Sequence, residues 1–199
     1  MSVTFRSIIT ATFICAASVA SADKLPLNAI SQYLNAMKTA SGDFTQVNDD
    51  GSISTGKIYI KRPGKMRFEY NAPDSAIVIA SSGAVVVDDK KSNQPPETYP
   101  LKRTPLSIIL ARNVNLGKAR MVTGHSYDGT ATTVTAQDPD NPEYGSIAMK
   151  FTDSPVELRQ WVISDSNGGQ TTLILGALNK GGNIPNAKFN TGSPGSKLN

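Results

Sequence analysis

The hydrophobic pattern changes period once along the chain. Between Pro26 and Thr39, Leu27, Ile30, Leu34 and Met37 recur at three- and four-residue spacing and Gly42 follows as a stop, which predicts an amphipathic helix. From Phe44 onward the period is two. Ile58 and Ile60 alternate with Lys57, Tyr59 and Lys61, and Met66, Phe68 and Tyr70 alternate with Lys65, Arg67 and Glu69, so each segment reads as a strand with one apolar and one polar face. Further strands are expected over 76–80, 84–88, 119–126, 132–137, 146–152, 156–164 and 170–175, turning at Ser82-Gly83, Asp128-Gly129 and Asn167-Gly168-Gly169. Strand follows strand without intervening helices, which predicts an antiparallel meander. Its one interruption is Pro105 to Arg112, where Leu106, Ile109 and Leu110 suit a short apolar helix with proline near its first turn. The tail from Lys180, with Gly181-Gly182, Pro185, Pro194 and Gly195, reads as a loop with a mobile end.

Ahead of the helix, Ile8 to Val19 is a run of apolar and small residues, and Ala20-Ser21-Ala22 fits the cleavage rule of a secretory signal. The run is shorter than the ~20 apolar residues that span a bilayer and is broken by Thr10, Thr12 and Ser18. Residues 1–22 are therefore expected to be a cleaved signal peptide and 23–199 a single soluble domain. Ile14 precedes Cys15 where lipoprotein processing needs a small residue, so Cys15 is expected to leave with the signal, unacylated. One Cys and one His in the whole chain exclude an internal disulfide, a CxxC pair and a multi-histidine metal site. The net charge of +4 comes without a clustered Lys/Arg stripe, and charged residues at 18% fall below the usual quarter, which speaks against nucleic-acid binding and against disorder.

Four segments look chemical. Gly51 to Ile58 nearly matches a P-loop, but Ile58 stands where Ser or Thr must reach magnesium, and the segment leads into a strand rather than a helix. His125 beside Ser126 and Asp128 could suggest a triad, yet neighbours on a strand point to opposite faces. Asp138, Asp140, Asn141 and Glu143 offer oxygens for calcium but lack EF-hand spacing, and Pro139 and Pro142 make a rigid turn. Lys61, Arg62, Lys65 and Arg67 form a basic stretch followed by aromatics, a composition that could bind nucleic acid. Lys65 and Arg67 lie on the face opposite Met66 and Phe68, which speaks against that and suits either steering toward anionic partners or lipid headgroups or a simply solvated outer face.

Several segments taken together resemble the outer-membrane lipoprotein carrier (LolA) family: Gly42-Asp43-Phe44-Thr45-Gln46; the stretch from Gly56 through Arg62-Pro63-Gly64 to Tyr70, with Pro73 beyond; and Pro100-Leu101 to Pro105-Leu106 before the short helix. The likeness runs from about Leu27 to Phe189. Phe68 stands where many relatives carry Trp, and the segment from Lys90 to Pro96 is this chain's own.

The resemblance implies an α+β fold: an incomplete, strongly curved antiparallel β-barrel with helices covering the concave side as a lid. It implies a periplasmic chaperone that binds the acyl chains of lipoproteins released by an inner-membrane ABC transporter complex and delivers them to an outer-membrane acceptor. Ile58, Ile60, Met66, Phe68 and Tyr70 would line the lipid cavity. Leu27, Ile30, Leu34, Leu106, Ile109 and Leu110 would belong to the lid, and Arg62 would latch it through lid backbone. No cofactor, metal or nucleic acid is implied, the protein is expected to be a monomer, and no catalytic residue is expected. The alternative is a lipoprotein acceptor or lipoprotein-sensing module of the same fold, separable by membrane attachment; an enzyme would have to depend on His125 or Ser126.

Overall fold

Alternation of apolar and polar residues builds most of the molecule as strands. The structure, a computed structural model, describes residues 23–117 and 120–192; the expected signal segment, Cys15, the first expected residue of the 119–126 strand and the end of the tail lie outside them. In chain order the elements are α1 (Leu27–Ala36), β1 (Thr39–Val47), β2 (Ile53–Lys61), β3 (Lys65–Tyr70), β4 (Ala76–Ser81), β5 (Ala84–Asp89), β6 (Glu97–Pro100), a 3-10 turn (Leu101–Arg103), α2 (Leu106–Leu110), β7 (Val122–Tyr127), β8 (Ala131–Gln137), a 3-10 turn (Pro142–Tyr144), β9 (Ser146–Thr152), β10 (Glu157–Ser164), β11 (Gln170–Leu175), β12 (Asn179–Lys180) and a 3-10 turn (Asn186–Phe189).

The strands form one curved, open antiparallel sheet in the order β6-β5-β4-β3-β2-β1-β11-β10-β9-β8-β7. β11 and β12 run in succession along β1, pairing Phe44 with Leu175 and Ala40 with Lys180. The break between them falls at Gly176, whose N–H donates to the Asp43 carbonyl at 2.9 Å.

Two faces follow from the pairing. On the inner face Ala40, Phe44, Ile58, Ile60, Met66, Phe68, Val134, Ile147, Met149, Phe151 and Leu173 are buried in one cluster, and Ile30, Leu34, Leu106, Ile109 and Leu110 of the two helices belong to the same cluster. Leu158 and Trp161 also join it although they are three apart. A bulge between Leu158 and Gln160 resets the pleat so that both side chains turn inward.

The outer face is not uniformly solvated. Ile79 and Val86 form a second, smaller cluster with Ile184 and Phe189, against which Tyr59 and Ile77 pack. The tail is loop-like over most of its described part, as its composition predicts, and that part is a strap laid across β2 to β5; its end lies outside the described residues. Lys61 donates to the Ile184 carbonyl at 2.7 Å and Lys65 to Asn186 at 3.1 Å. Arg67 donates to the Lys188 carbonyl at 3.2 Å, and Lys188 pairs with Glu69 at 2.8 Å. The basic face is therefore only partly open to water, because Arg67 is buried beneath this strap. Burial alone would raise the Glu69 carboxyl, but hydrogen bonds from Lys188 and Arg67 outweigh it and hold the group below its ordinary value.

Candidate functional site

The inner face of β2 and β3 supplies the wall. Ile58, Ile60 and Met66 have no exposed surface and Phe68 retains 6%, so no space large enough for water touches the first three. Tyr70 closes the far end, half-buried, with its hydroxyl donating to Gln46 at 2.6 Å. Burial pushes that phenol up to about 12, partly offset by the bond to Gln46. Edge-to-face rings extend the wall inward from Tyr70 through Phe44 and Phe68 to Trp161.

Against this wall sit two helices with little stability of their own. α1 has ten residues and α2 five, both short of the ~12–15 residues at which isolated helices become even marginal. α1 has no side-chain cap at Pro26 and no acidic residue in its first turn. Each persists because its apolar stripe is buried: Ile30, Leu34, Leu106, Ile109 and Leu110 are all buried, and Leu27 packs at the margin. α1 ends at Ala36, earlier than the periodicity predicts, because the chain enters β1 at Thr39.

Arg62 continues the inward row of Ile58 and Ile60 by parity and is 7% exposed. Its Nη2 donates to the Ala111 carbonyl at 2.6 Å, where α2 ends, and lies 3.5 Å from Asn35 Oδ1. Burial lowers the pKa of the guanidinium. The backbone seconds the contact: Arg62 N–H donates to the Lys38 carbonyl at 2.8 Å and Gly64 N–H to the Leu110 carbonyl at 2.9 Å. One hairpin end thus holds the exits of both helices.

Asn35 and Ser31 were not singled out by sequence. Asn35 exchanges two hydrogen bonds with Val114, 2.8 and 2.9 Å, and Ser31 accepts from Leu116 N–H at 3.0 Å. They pin the segment after α2 onto α1. The available signal was their four-residue spacing beside Leu34, two small polar residues on one helix face. Where α2 and that segment meet the β8–β9 connection, a groove of about 420 Å³ is lined by Ile108, Ala111, Val114, Met121 and Pro139 among others. Nearby, the Arg103 guanidinium lies 5.4 Å over the Tyr144 ring.

The chemical-looking segments have structural roles. Gly51 makes a turn and Ile58 is strand, so the P-loop likeness ends in a hairpin. His125 Nε2 lies 2.8 Å from the Leu25 carbonyl, tying the start of the domain to β7. Asp138 accepts from the backbone of Asp140 and Asn141 at 2.9 and 3.2 Å, an Asx turn. No group of three or more His, Cys, Asp or Glu side chains suited to a metal ion occurs among the described residues.

The structure is thus an open, curved antiparallel sheet whose inner-face side chains share one buried apolar cluster with those of two short helices. Sequence comparison goes further: the model of the family described as outer membrane lipoprotein carrier protein LolA matches residues 35–191, and the chain belongs to that family. An outer-membrane lipoprotein carrier protein of Azotobacter vinelandii is 21% identical over 193 residues, 93% of this chain and 92% of that one. Its counterpart in Methylococcus capsulatus is 33% identical over 86 residues, 41% of each chain. Among solved structures, a LolA superfamily protein from Nitrosomonas europaea superposes with a TM-score of 0.44 at 10% identity, over 84% of this chain and 98% of that one.

Proposed function

We propose that this protein is a periplasmic chaperone that takes the acyl chains of lipoproteins released from the inner membrane and delivers them to the outer membrane. It works after loss of residues 1–22, as a monomer, between an inner-membrane ABC transporter complex that loads it and an outer-membrane acceptor that unloads it. α1 and α2 are the lid, the row from Ile58 to Tyr70 is the chain-binding wall, and Arg62 is the latch. The observation that carries the reading is the shared burial of wall and helix side chains in one apolar cluster, closed by the bond from Arg62 to Ala111.

The physics suits a carrier. Burying acyl chains is worth about 0.8 kcal/mol per CH₂, so a multi-chain anchor cannot cross water uncovered. The closed protein satisfies its own wall with helix side chains, and cargo must displace them. Net affinity is reduced by the free energy of opening, which leaves transfer to a tighter binder possible. Helices with weak intrinsic stability keep that opening cost modest.

The direct test is to incubate purified mature protein with inner-membrane spheroplasts and look for a soluble lipoprotein complex. Failure to release any cargo would falsify the carrier reading. The latch has its own test. Arg62→Leu removes a hydrogen bond from a charged donor, worth about 1.5–3 kcal/mol to the closed form, so cargo should bind about ten-fold tighter or more. The variant is expected to load and to transfer poorly, and normal transfer to the acceptor refutes the latch.

A further inference from the structure

The surroundings of Arg62 contain more than a latch requires. Arg67 and Arg159 face the carboxylates of Glu69 and Glu157 at 2.7 Å. Arg62, more than nine-tenths buried, meets only the neutral oxygens of Ala111 and Asn35, and its Nε has no acceptor among the described residues. A buried guanidinium without an anion carries an uncompensated desolvation cost, and a buried donor left unmade adds to it. Asn35 cannot turn to relieve this, since both ends of its amide are held by Val114. The cation stands at the end of the inward row of Ile58 and Ile60, so an acyl chain lying along that wall would bring its head to Arg62.

We propose that Arg62 forms an anion site at the end of the apolar chamber, so that the protein also takes single-chain amphiphiles whose head is an oxyanion: a fatty-acid carboxylate or a lipid phosphate. The planar guanidinium can meet two oxygens at once, so an oxyanion head would use the Nε donor that the closed protein leaves unmade as well as supply the charge that the neutral oxygens lack. Such a head competes with the Ala111 carbonyl for the guanidinium while the chain competes with Ile30, Leu34 and Ile109 for the wall. An uncharged chain of the same length opens the latch as well but offers the freed guanidinium no anion in return. The inference rests on the interior serving as a chain-binding chamber, as proposed above, but not on lipoprotein delivery.

The test compares dodecanoate, dodecyl phosphate and dodecanol below their aggregation concentrations, by calorimetry and by the emission of Trp161, the single tryptophan. An added charge-assisted contact predicts that dodecanoate binds about ten-fold tighter than dodecanol. Dodecyl phosphate binding well above dodecanoate assigns the site to phosphate-bearing lipids, and the reverse order to fatty acids. Arg62→Leu should bring all three within about two-fold, the size of a neutral head's contribution, while Arg62→Lys retains the anion preference because the charge remains. Equal binding of dodecanoate and dodecanol by the native protein overturns the site even if neither variant folds, and so does a preference that survives Arg62→Leu. Binding of none of the three removes the chamber itself, a different failure from equal binding. Intact lipoprotein release alongside equal binding leaves the carrier reading standing without the anion site.

Discussion

At the scale of single residues, Gly56 is required by a close approach across the sheet. It faces Phe44 in the β1–β2 register, and a Cβ there would run into the Glu69 carbonyl oxygen and lie 2.8 Å from the Phe44 ring. Gly56→Ala should therefore destabilise by about 1–3 kcal/mol through overpacking, read as a lower urea midpoint. An unchanged midpoint would mean the wall yields at this point. Tyr70 gives a pH signature. Its pKa is raised in the folded state, so its contribution to stability is full below the ordinary value of 10.0 and is lost as pH rises through about 12. Denaturant titrations between these limits should show a shallower fall of stability with pH in Tyr70→Phe than in the native protein; equal slopes would place the phenol in water. Periodicity assigned Tyr70 to the inner row. The ring contacts that bury it come from β1, distant in sequence, and alternation within β3 carries no record of them.

Among the elements, the strap tests whether the outer face matters to the fold. Phe189 is 2% exposed and packs with Ile79, Val86 and Ile184. Phe189→Ala should cost about 3–5 kcal/mol, the usual range for deleting a buried aromatic ring. Because the strap lies across the sheet from the helices, the variant should bind a hydrophobic probe as the native protein does after correction for unfolded chain. A lost probe signal in the folded fraction would show the two faces to be coupled. The strap's composition of Gly, Asn, Pro and Lys reads as loop, and loop it largely is between Gly181 and Pro185. Its place was partly foreshadowed, since 76–80 and 84–87 are apolar at every position, the mark of strands covered on both faces. What covered the second face could not be read, because the contact joins segments about a hundred residues apart. β6 escaped notice for a local reason: it follows Pro95-Pro96, is exposed along its length and holds only an edge, where pairing with β5 rather than burial defines it.

Over the whole molecule, the proposed opening of α1 and α2 as a lid should have an optical readout. Trp161 is 1% exposed and lies edge-on to Phe68, 6.5 Å between ring centres. If cargo displaces α1 and α2, its emission should change in step with binding, and Arg62→Leu should start closer to the loaded spectrum. An emission indifferent to a chain-length series of amphiphiles would argue for a permanently closed core. Position 161 illustrates why such a reporter was not evident beforehand: strict alternation from Leu158 directs it outward, and only the bulge in β10 turns it in.

By itself the sequence determined most of the strands, the two helices, the inward rows of β2 and β3 and the likeness to a lipoprotein carrier family, because side-chain period and short motifs are local properties. Tertiary structure alone decided which faces meet. It laid the tail over β2 to β5, turned Trp161 inward, brought Ser31 and Asn35 against the segment after α2, and left Arg62 buried beside neutral oxygens. Each of these depends on contacts between residues far apart in the chain, where burial and hydrogen-bond partners are set by the fold and not by neighbours in sequence.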